Sequence, residues 1–169
     1  SWLGQLSKQV TDTTAQKQLD DSIYGIEKKP FPYLLCVTNM LLHDIEVPNI
    51  YHMNSLKHNL LDYTDDDKFD VILMNPPYGG HEDKSIQNFF PDDLTSSETA
   101  DLFMSVIMYR LKKGGRAAVI LPDGFLFGTD NAKVAIKKKL FSECNVHTII
   151  RMPHSVFAPY TSITTNILF

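Results

Sequence analysis

The chain has 169 residues, 43% of them hydrophobic and 21% charged, which is enough apolar material to bury the core of one ordinary domain and too much for a disordered tail. Eight glycines and nine prolines without a repeat exclude a collagen-like chain, and two widely separated cysteines, Cys36 and Cys144, exclude a disulfide-stapled miniprotein and suit a cytoplasmic protein. Twenty acidic against sixteen basic residues give a net charge of -4, opposite to the footprint of a free-standing nucleic-acid binder, so DNA acted on here would have to be held by something else.

In chain order, the opening Ser1-Trp2-Leu3-Gly4 has no Met and no leader and reads as a start within a longer chain. Residues 2–19 carry Leu3, Leu6, Val10 and Leu19 at helical spacing. Residues 23–26 read as a short buried strand ending at Glu27, and Lys28-Lys29-Pro30 opens a helix that runs to about His43. Residues 50–53 form a second strand, closed by Asn54-Ser55, and the acidic run 62–68 reads as a surface turn. The apolar run 70–74 lacks alternation and predicts a strand covered on both faces, ended by Asn75-Pro76-Pro77-Tyr78-Gly79-Gly80. Residues 81–98 are polar and without periodicity, as in a mobile loop. A helix over 99–111 is stopped by Lys112-Lys113-Gly114-Gly115, and strand 116–121, helix 131–141 and strands 146–151 and 163–169 follow. No apolar stretch approaches the roughly 20 residues of a membrane helix, so no membrane partner is expected. Strands alternating with helices predict a single α/β domain over 1–169 with a largely parallel sheet, and ligands of such sheets sit at the carboxyl ends of the strands. Glu27, Asn54-Ser55 and Asn75 to Tyr78 all fall at such ends.

Glu27 is placed where an acidic side chain accepts the ribose hydroxyls of a nucleoside cofactor, or where it merely starts a helix. A glycine-rich phosphate loop should precede it by about 20 residues. That position is Ser7, with only Gly4 near, so the loop and its strand are missing from this chain and a nicotinamide dehydrogenase reading loses its support.

Asn75-Pro76-Pro77-Tyr78 is the strongest chemical signal, although a plain proline turn after a strand also accounts for it. It is not the Pro-Pro-x-Tyr of WW-domain ligands, because Tyr78 directly follows Pro77. A planar amine keeps its lone pair delocalised. Two acceptors, the Asn75 side-chain carbonyl and the Pro76 backbone carbonyl, can take both of its N–H bonds and free that lone pair for attack. The prolines fix the backbone, and Tyr78 offers a flat face to a planar substrate. The histidines show no H-E-x-x-H or paired-cysteine spacing, so no metal is expected. Asp123 reads as a turn residue, and Lys133, Lys137, Lys138 and Lys139 as an exposed helix face.

Taken in order, Tyr24-Gly25-Ile26-Glu27, Asn75 to Tyr78, residues 115–122, Val156-Phe157-Ala158-Pro159-Tyr160 and Thr165-Asn166-Ile167-Leu168-Phe169 make the whole chain resemble the modification (M) subunit of type I restriction-modification systems. The resemblance implies a Rossmann-like sheet with helices on both faces and an S-adenosylmethionine-dependent DNA adenine N6-methyltransferase. It implies that Asn75, Pro76, Pro77 and Tyr78 form the catalytic motif, with Tyr78 stacking on a flipped adenine. It also implies that Glu27 holds the cofactor ribose, with Asn54 and Ser55 beside the cofactor adenine. Asn54 stands where many relatives carry an aspartate. A second aromatic completes the base sandwich, Phe169 as first choice and Phe157 as the alternative. The implied partners are double-stranded DNA and the specificity and restriction subunits. Methylation of a protein glutamine or an RNA guanine by the same tetrapeptide, or a non-catalytic α/β scaffold, are the rival readings.

Overall fold

A computed structural model describes residues 8–169, so the first third of the helix expected over 2–19, with Gly4 and Ser7 in it, lies outside the described residues. The chain divides into two compact units, Ser1–Ser55 and Leu56–Phe169.

In the first unit, helix α1 (Thr13–Asp21) starts at Asp12, whose carboxylate accepts the Ala15 N–H at 2.8 Å. Strand β1 (Tyr24–Glu27), helix α2 (Pro30–Leu41) and strand β2 (Asn49–His52) then form a β-α-β arrangement. Pro30 suits the first helical position, where a missing N–H costs nothing. The two strands pair in parallel, from Tyr24↔Asn49 to Glu27↔His52. Ile23, Met40, Ile45 and Ile50 are the buried core, with Leu19, Tyr33, Cys36 and Val37 against it. Other apolar residues of α2 face out: Phe31 is 69% exposed, and Leu34, Leu35 and Leu41 are exposed as well.

The second unit comprises β3 (Phe69–Met74), α3 (Lys84–Gln87), α4 (Thr99–Arg110), β4 (Leu111–Pro122), α5 (Asp123–Phe127), α6 (Asn131–Glu143), β5 (Ile149–Arg151) and β6 (Thr165–Leu168). Its strands lie in the order β3-β4-β6-β5. The α/β alternation appears as expected, but this sheet is mixed. β3 and β4 are parallel, whereas β6 is antiparallel to both β4 and β5, because β5 and β6 are sequential neighbours joined without a crossover helix. Val119, Leu121 and Leu168 bury one face of the sheet against Met104, Ile107 and Met108 of α4, Phe125 of α5 and Ile136 and Leu140 of α6. β3 is not covered on both faces: Ile72 and Met74 pack on this core, while Val71 and Leu73 are each 60% exposed.

Three further expectations change. The segment 81–98 is anchored rather than loose: Ile86 and Phe90 are buried in one apolar cluster and Leu94 in the other, each fully buried side chain contributing about 1.5–3 kcal/mol. A bridge between His81 and Glu98 closes its ends. The Lys-Lys-Gly-Gly run is not a helix stop. α4 ends at Arg110, Leu111 already pairs with Phe69, and residues 112–115 bulge out before Arg116 pairs with Val71. Gly114 has a φ of 78°, and a Cβ on Gly115 would lie 3.0 Å from the Asp70 carbonyl oxygen, so the bulge requires this glycine pair. The acidic run contains one short 3-10 turn (Asp65–Asp67), and another (Leu60–Asp62), with Leu60 buried, leads into it. Among the described residues no helix is long and apolar enough to cross a membrane.

Candidate active site

At the carboxyl end of the two-stranded sheet, Glu27 is the last residue of β1. Its Oε1 accepts the Lys29 N–H at 2.6 Å, which turns the carboxylate back over the start of α2. Its other oxygen, Oε2, makes no hydrogen bond among the described residues and keeps its lone pairs for a ligand. The Met53 N–H donates to the Glu27 carbonyl at 3.2 Å, so Asn54 and Ser55, both half-buried, leave β2 at this same edge. His52 lies there too, its ring stacked 5.0 Å from Tyr33 and its Nε2 3.1 Å from the Lys28 carbonyl. A carboxylate with one bonded oxygen and one that makes no hydrogen bond among the described residues is an acceptor that fits the vicinal hydroxyls of a nucleoside.

In the second unit Asn75 follows Met74 directly at the carboxyl end of β3. Pro76 is buried, and Asn75 stands exposed beside it. The Asn75 Oδ1 accepts a hydrogen bond from the Tyr78 hydroxyl. No hydrogen bond among the described residues reaches the Pro76 carbonyl. Burial pushes the Tyr78 phenol above its ordinary pKa, so it stays a neutral donor at physiological pH. Gly79, at φ 66°, then turns the chain away, and the Gly80 carbonyl accepts the Thr99 N–H at 2.9 Å. The tetrapeptide therefore carries two carbonyl acceptors beside a half-buried aromatic ring, the exposed Asn75 Oδ1, bonded by Tyr78, and the carbonyl of the buried Pro76, which makes no hydrogen bond among the described residues.

The two candidate second aromatics lie in different places. Phe157, half-buried on the loop 152–164 between β5 and β6, has its ring 6.0 Å from that of Tyr78 at an interplanar angle of 57°. Phe169 follows Leu168, which pairs with Val119 on β4, itself the partner of Met74. Because β6 runs antiparallel to β4, Phe169 heads toward the amino ends of β3 and β4, away from Asn75. Its ring stacks on His147 at 6.4 Å.

Residues that the sequence reading set aside build the surroundings. Asp123 is more than a turn residue. Its carboxylate accepts two hydrogen bonds from Arg151, at 2.8 and 3.2 Å, and one from Asn166 at 2.7 Å. The Asn166 amide first, then Arg151, hold its pKa below the ordinary carboxylate range. The sequence signal was an amide side chain, Asn166, directly before the apolar run Ile167-Leu168-Phe169. Nor do the lysines of α6 form one exposed face. Lys133 is 3% exposed and its ammonium contacts Glu98, Asp101 and Asp130 at 2.6, 3.0 and 3.3 Å, while Lys137 donates to the carbonyls of Leu126 and Gly128. Burial alone would lower the Lys133 pKa, but the hydrogen bonds to Glu98 and Asp101 outweigh it and raise it. Its spacing of three and seven residues from the buried Ile136 and Leu140 placed it on the inward face. Among the described residues no group of three or more His, Cys, Asp or Glu side chains is arranged to hold a metal.

The whole of residues 1–169 matches the family model for N-6 DNA methylases. The chain is 53% identical over 161 residues to the methylase subunit of the type I restriction enzyme EcoEI of Escherichia coli, covering 95% of this chain and 32% of that one. It resembles the crystal structure of a type I restriction enzyme modification subunit from Vibrio vulnificus YJ016 with a TM-score of 0.92 and 44% identity, over 99% of this chain and 36% of that one. It is also similar to the EcoKI M protein, with a TM-score of 0.82 and 29% identity, over 98% of this chain and 34% of that one. The chain thus spans about a third of the length of the curated relatives it matches.

Proposed function

The chain belongs to the N-6 DNA methylase family, and from that premise we propose that it carries the catalytic site of a DNA adenine N6-methyltransferase, the modification subunit of a type I restriction-modification system. One observation carries the reading: the Asn75 amide oxygen and the unbonded carbonyl of Pro76 follow the end of β3 in the same tetrapeptide as the Tyr78 ring, with the Phe157 ring 6.0 Å from it. A planar amine needs two acceptors and a flat wall, and these residues supply them.

An adenine in a duplex has its amine paired and its faces stacked, so it must leave the helix to be methylated. Tyr78 and Phe157 then form the walls that hold the extruded ring, and Phe157 is the better placed of the two late aromatics. Asn75 Oδ1 and the Pro76 carbonyl accept the two N–H bonds of the exocyclic amine. This draws the nitrogen toward tetrahedral geometry and makes its lone pair available. The Tyr78 hydroxyl shares or releases Asn75 Oδ1 as the amine arrives, and the rigid Pro76-Pro77 backbone keeps the acceptors in place without reorganisation. S-adenosylmethionine, when bound, supplies a methyl group on an electrophilic sulfonium sulfur. Glu27 fits its ribose through Oε2, and Asn54 and Ser55 suit its adenine.

The net charge of -4 supports a division of labour in which a specificity subunit grips double-stranded DNA, a restriction subunit cuts it, and this chain acts on the base in the cytoplasm. The DNA methylases among its relatives favour DNA over a protein glutamine or an RNA guanine as the substrate.

Asn75→Ala in the full-length protein with its companion subunits tests the reading. The expected result is a loss of methyl transfer to target DNA of about a hundredfold or more, with cofactor affinity changed by less than about tenfold, or 1.4 kcal/mol. Methylation at the parent rate by that variant overturns the assignment.

A further inference from the structure

We infer that Asp123 is a positioning residue: by holding Arg151 and Asn166 at the two ends of the loop 152–164, it sets where that loop presents Phe157 to Tyr78. The inference rests on the proposed role of Phe157 as a wall of the base site, and goes beyond it by naming what places that wall.

Arg151 is the last residue of β5 and Asn166 the second of β6, and they pair across the ladder directly at the base of the loop. Asp123 comes from a third chain segment, the start of α5 just past β4. It binds Arg151 through both carboxylate oxygens, at 3.2 and 2.8 Å, and Asn166 at 2.7 Å. Its own N–H donates to the Thr164 carbonyl at 3.1 Å, and the Met152 N–H donates to the Thr165 carbonyl at 2.9 Å. Both ends of the loop are thus tied to one carboxylate and to each other. A two-point guanidinium–carboxylate pair fixes orientation as well as distance.

The rest of the loop has no comparable tether. Among the described residues, the hydrogen bonds made by 153–163 close on the loop itself or on Thr164: Val156 to Pro153, Ala158 to Ser155, Tyr160 and Thr161 to Phe157, Ile163 to Thr161, and Thr164 to His154. No hydrogen bond of 153–163 reaches past Thr164, so the base is the hydrogen-bonded tie that sets where the loop brings Phe157 to the Tyr78 ring. A misplacement of about 1 Å at such a site costs on the order of a hundredfold in rate.

The test uses the full-length protein with its companion subunits and a target duplex. It measures kcat for methyl transfer, KM for DNA and for cofactor, and Tm, in Asp123→Ala, Arg151→Ala, Phe157→Ala and both double variants that combine Phe157→Ala with the others. If Asp123 acts through Phe157, Asp123→Ala and Arg151→Ala each lower kcat about tenfold or more, with cofactor KM within about threefold. Added to Phe157→Ala, neither then lowers kcat by more than about a further twofold, because residues acting as a unit are not additive. Unchanged kcat in Asp123→Ala and Arg151→Ala, or losses that multiply with that of Phe157→Ala, overturn the inference. Should Asp123→Ala fail to fold, the exposed Arg151→Ala decides alone by the same criteria. An unchanged kcat in Phe157→Ala strikes at the proposed base site itself and takes the inference with it. A loss in Phe157→Ala alone leaves that site standing and sinks only the role of Asp123.

Discussion

The Tyr78 hydroxyl bonds Asn75 Oδ1, which steadies the ring and, in the proposed mechanism, occupies the acceptor that an incoming amine would use. Tyr78→Phe removes the competing donor and keeps the flat face, so kcat/KM on target DNA is expected within about fivefold of the parent. Tyr78→Ala removes the face, worth about 1–3 kcal/mol of stacking, and is expected to lower kcat/KM by roughly tenfold to a hundredfold. Equal losses in the two variants, measured on one duplex, would assign the residue's role to its hydroxyl instead. The tetrapeptide was legible in the sequence because its acceptors and ring are consecutive residues whose chemistry needs no distant partner. The choice between Phe157 and Phe169 was not, since it depends on the direction in which β6 pairs with β4.

Among the elements, α4 and α6 are joined by a charge that no surface count reveals. Asp101 is fully buried in α4, its Oδ2 bound by Ser96 at 2.8 Å and by Lys133 of α6 at 3.0 Å. Lys133→Met leaves that carboxylate without its cation and is expected to cost about 3–5 kcal/mol in urea denaturation. Burial pushes the Asp101 carboxyl above its ordinary pKa, and losing Lys133 pushes it further. The variant's folded state then holds a proton that its unfolded state has released. Its deficit is therefore full above the raised folded-state pKa and shrinks as pH falls through it toward the unfolded value. A deficit that stays constant as the pH is lowered into the ordinary carboxylate range would contradict this ion pairing. The segment 81–98 was read as loose for a related reason. Ile86, Phe90 and Leu94 stand four residues apart, but Pro91 interrupts the run and only Ile86 lies in a helix, α3, so only the tertiary structure reveals that they are anchors.

Across the whole molecule, apolar side chains lie open on both units. On α2 Phe31, Leu34 and Leu35 form one outward stripe at spacings of three and four residues, and on β3 Val71 and Leu73 share the face turned from the core. Such patches promote association. The 169-residue chain by itself is expected to bind an apolar reporter dye and to sediment as more than a monomer. Replacing Phe31, Leu34 and Leu35 by serine should remove about half of the dye signal or more, with Tm moved by only a few degrees. Dye binding unchanged in the triple variant would mean that α2 is not the sticky surface. The alternation of strands and helices made the α/β class readable at this scale. Strand direction was not readable, because Ile149–Arg151 and Thr165–Leu168 are short segments of three and four residues whose side-chain pattern allows pairing either way.

The join between β5 and β6 has an evolutionary consequence. The loop leaves the sheet at Arg151 and re-enters at the neighbouring strand, so its ends stay about one strand spacing apart, roughly 4.8 Å, whatever its length. Doubling a flexible loop between fixed ends costs only about 0.6 kcal/mol. Insertions and exchanges between these two strands can therefore accumulate without disturbing the sheet or the tetrapeptide at the end of β3. The fold keeps Asn75 to Tyr78 at a strand end and leaves exposed loop residues such as Val156 and Tyr160 on a segment whose length and sequence can change around Phe157, so new surface contacts can evolve there first.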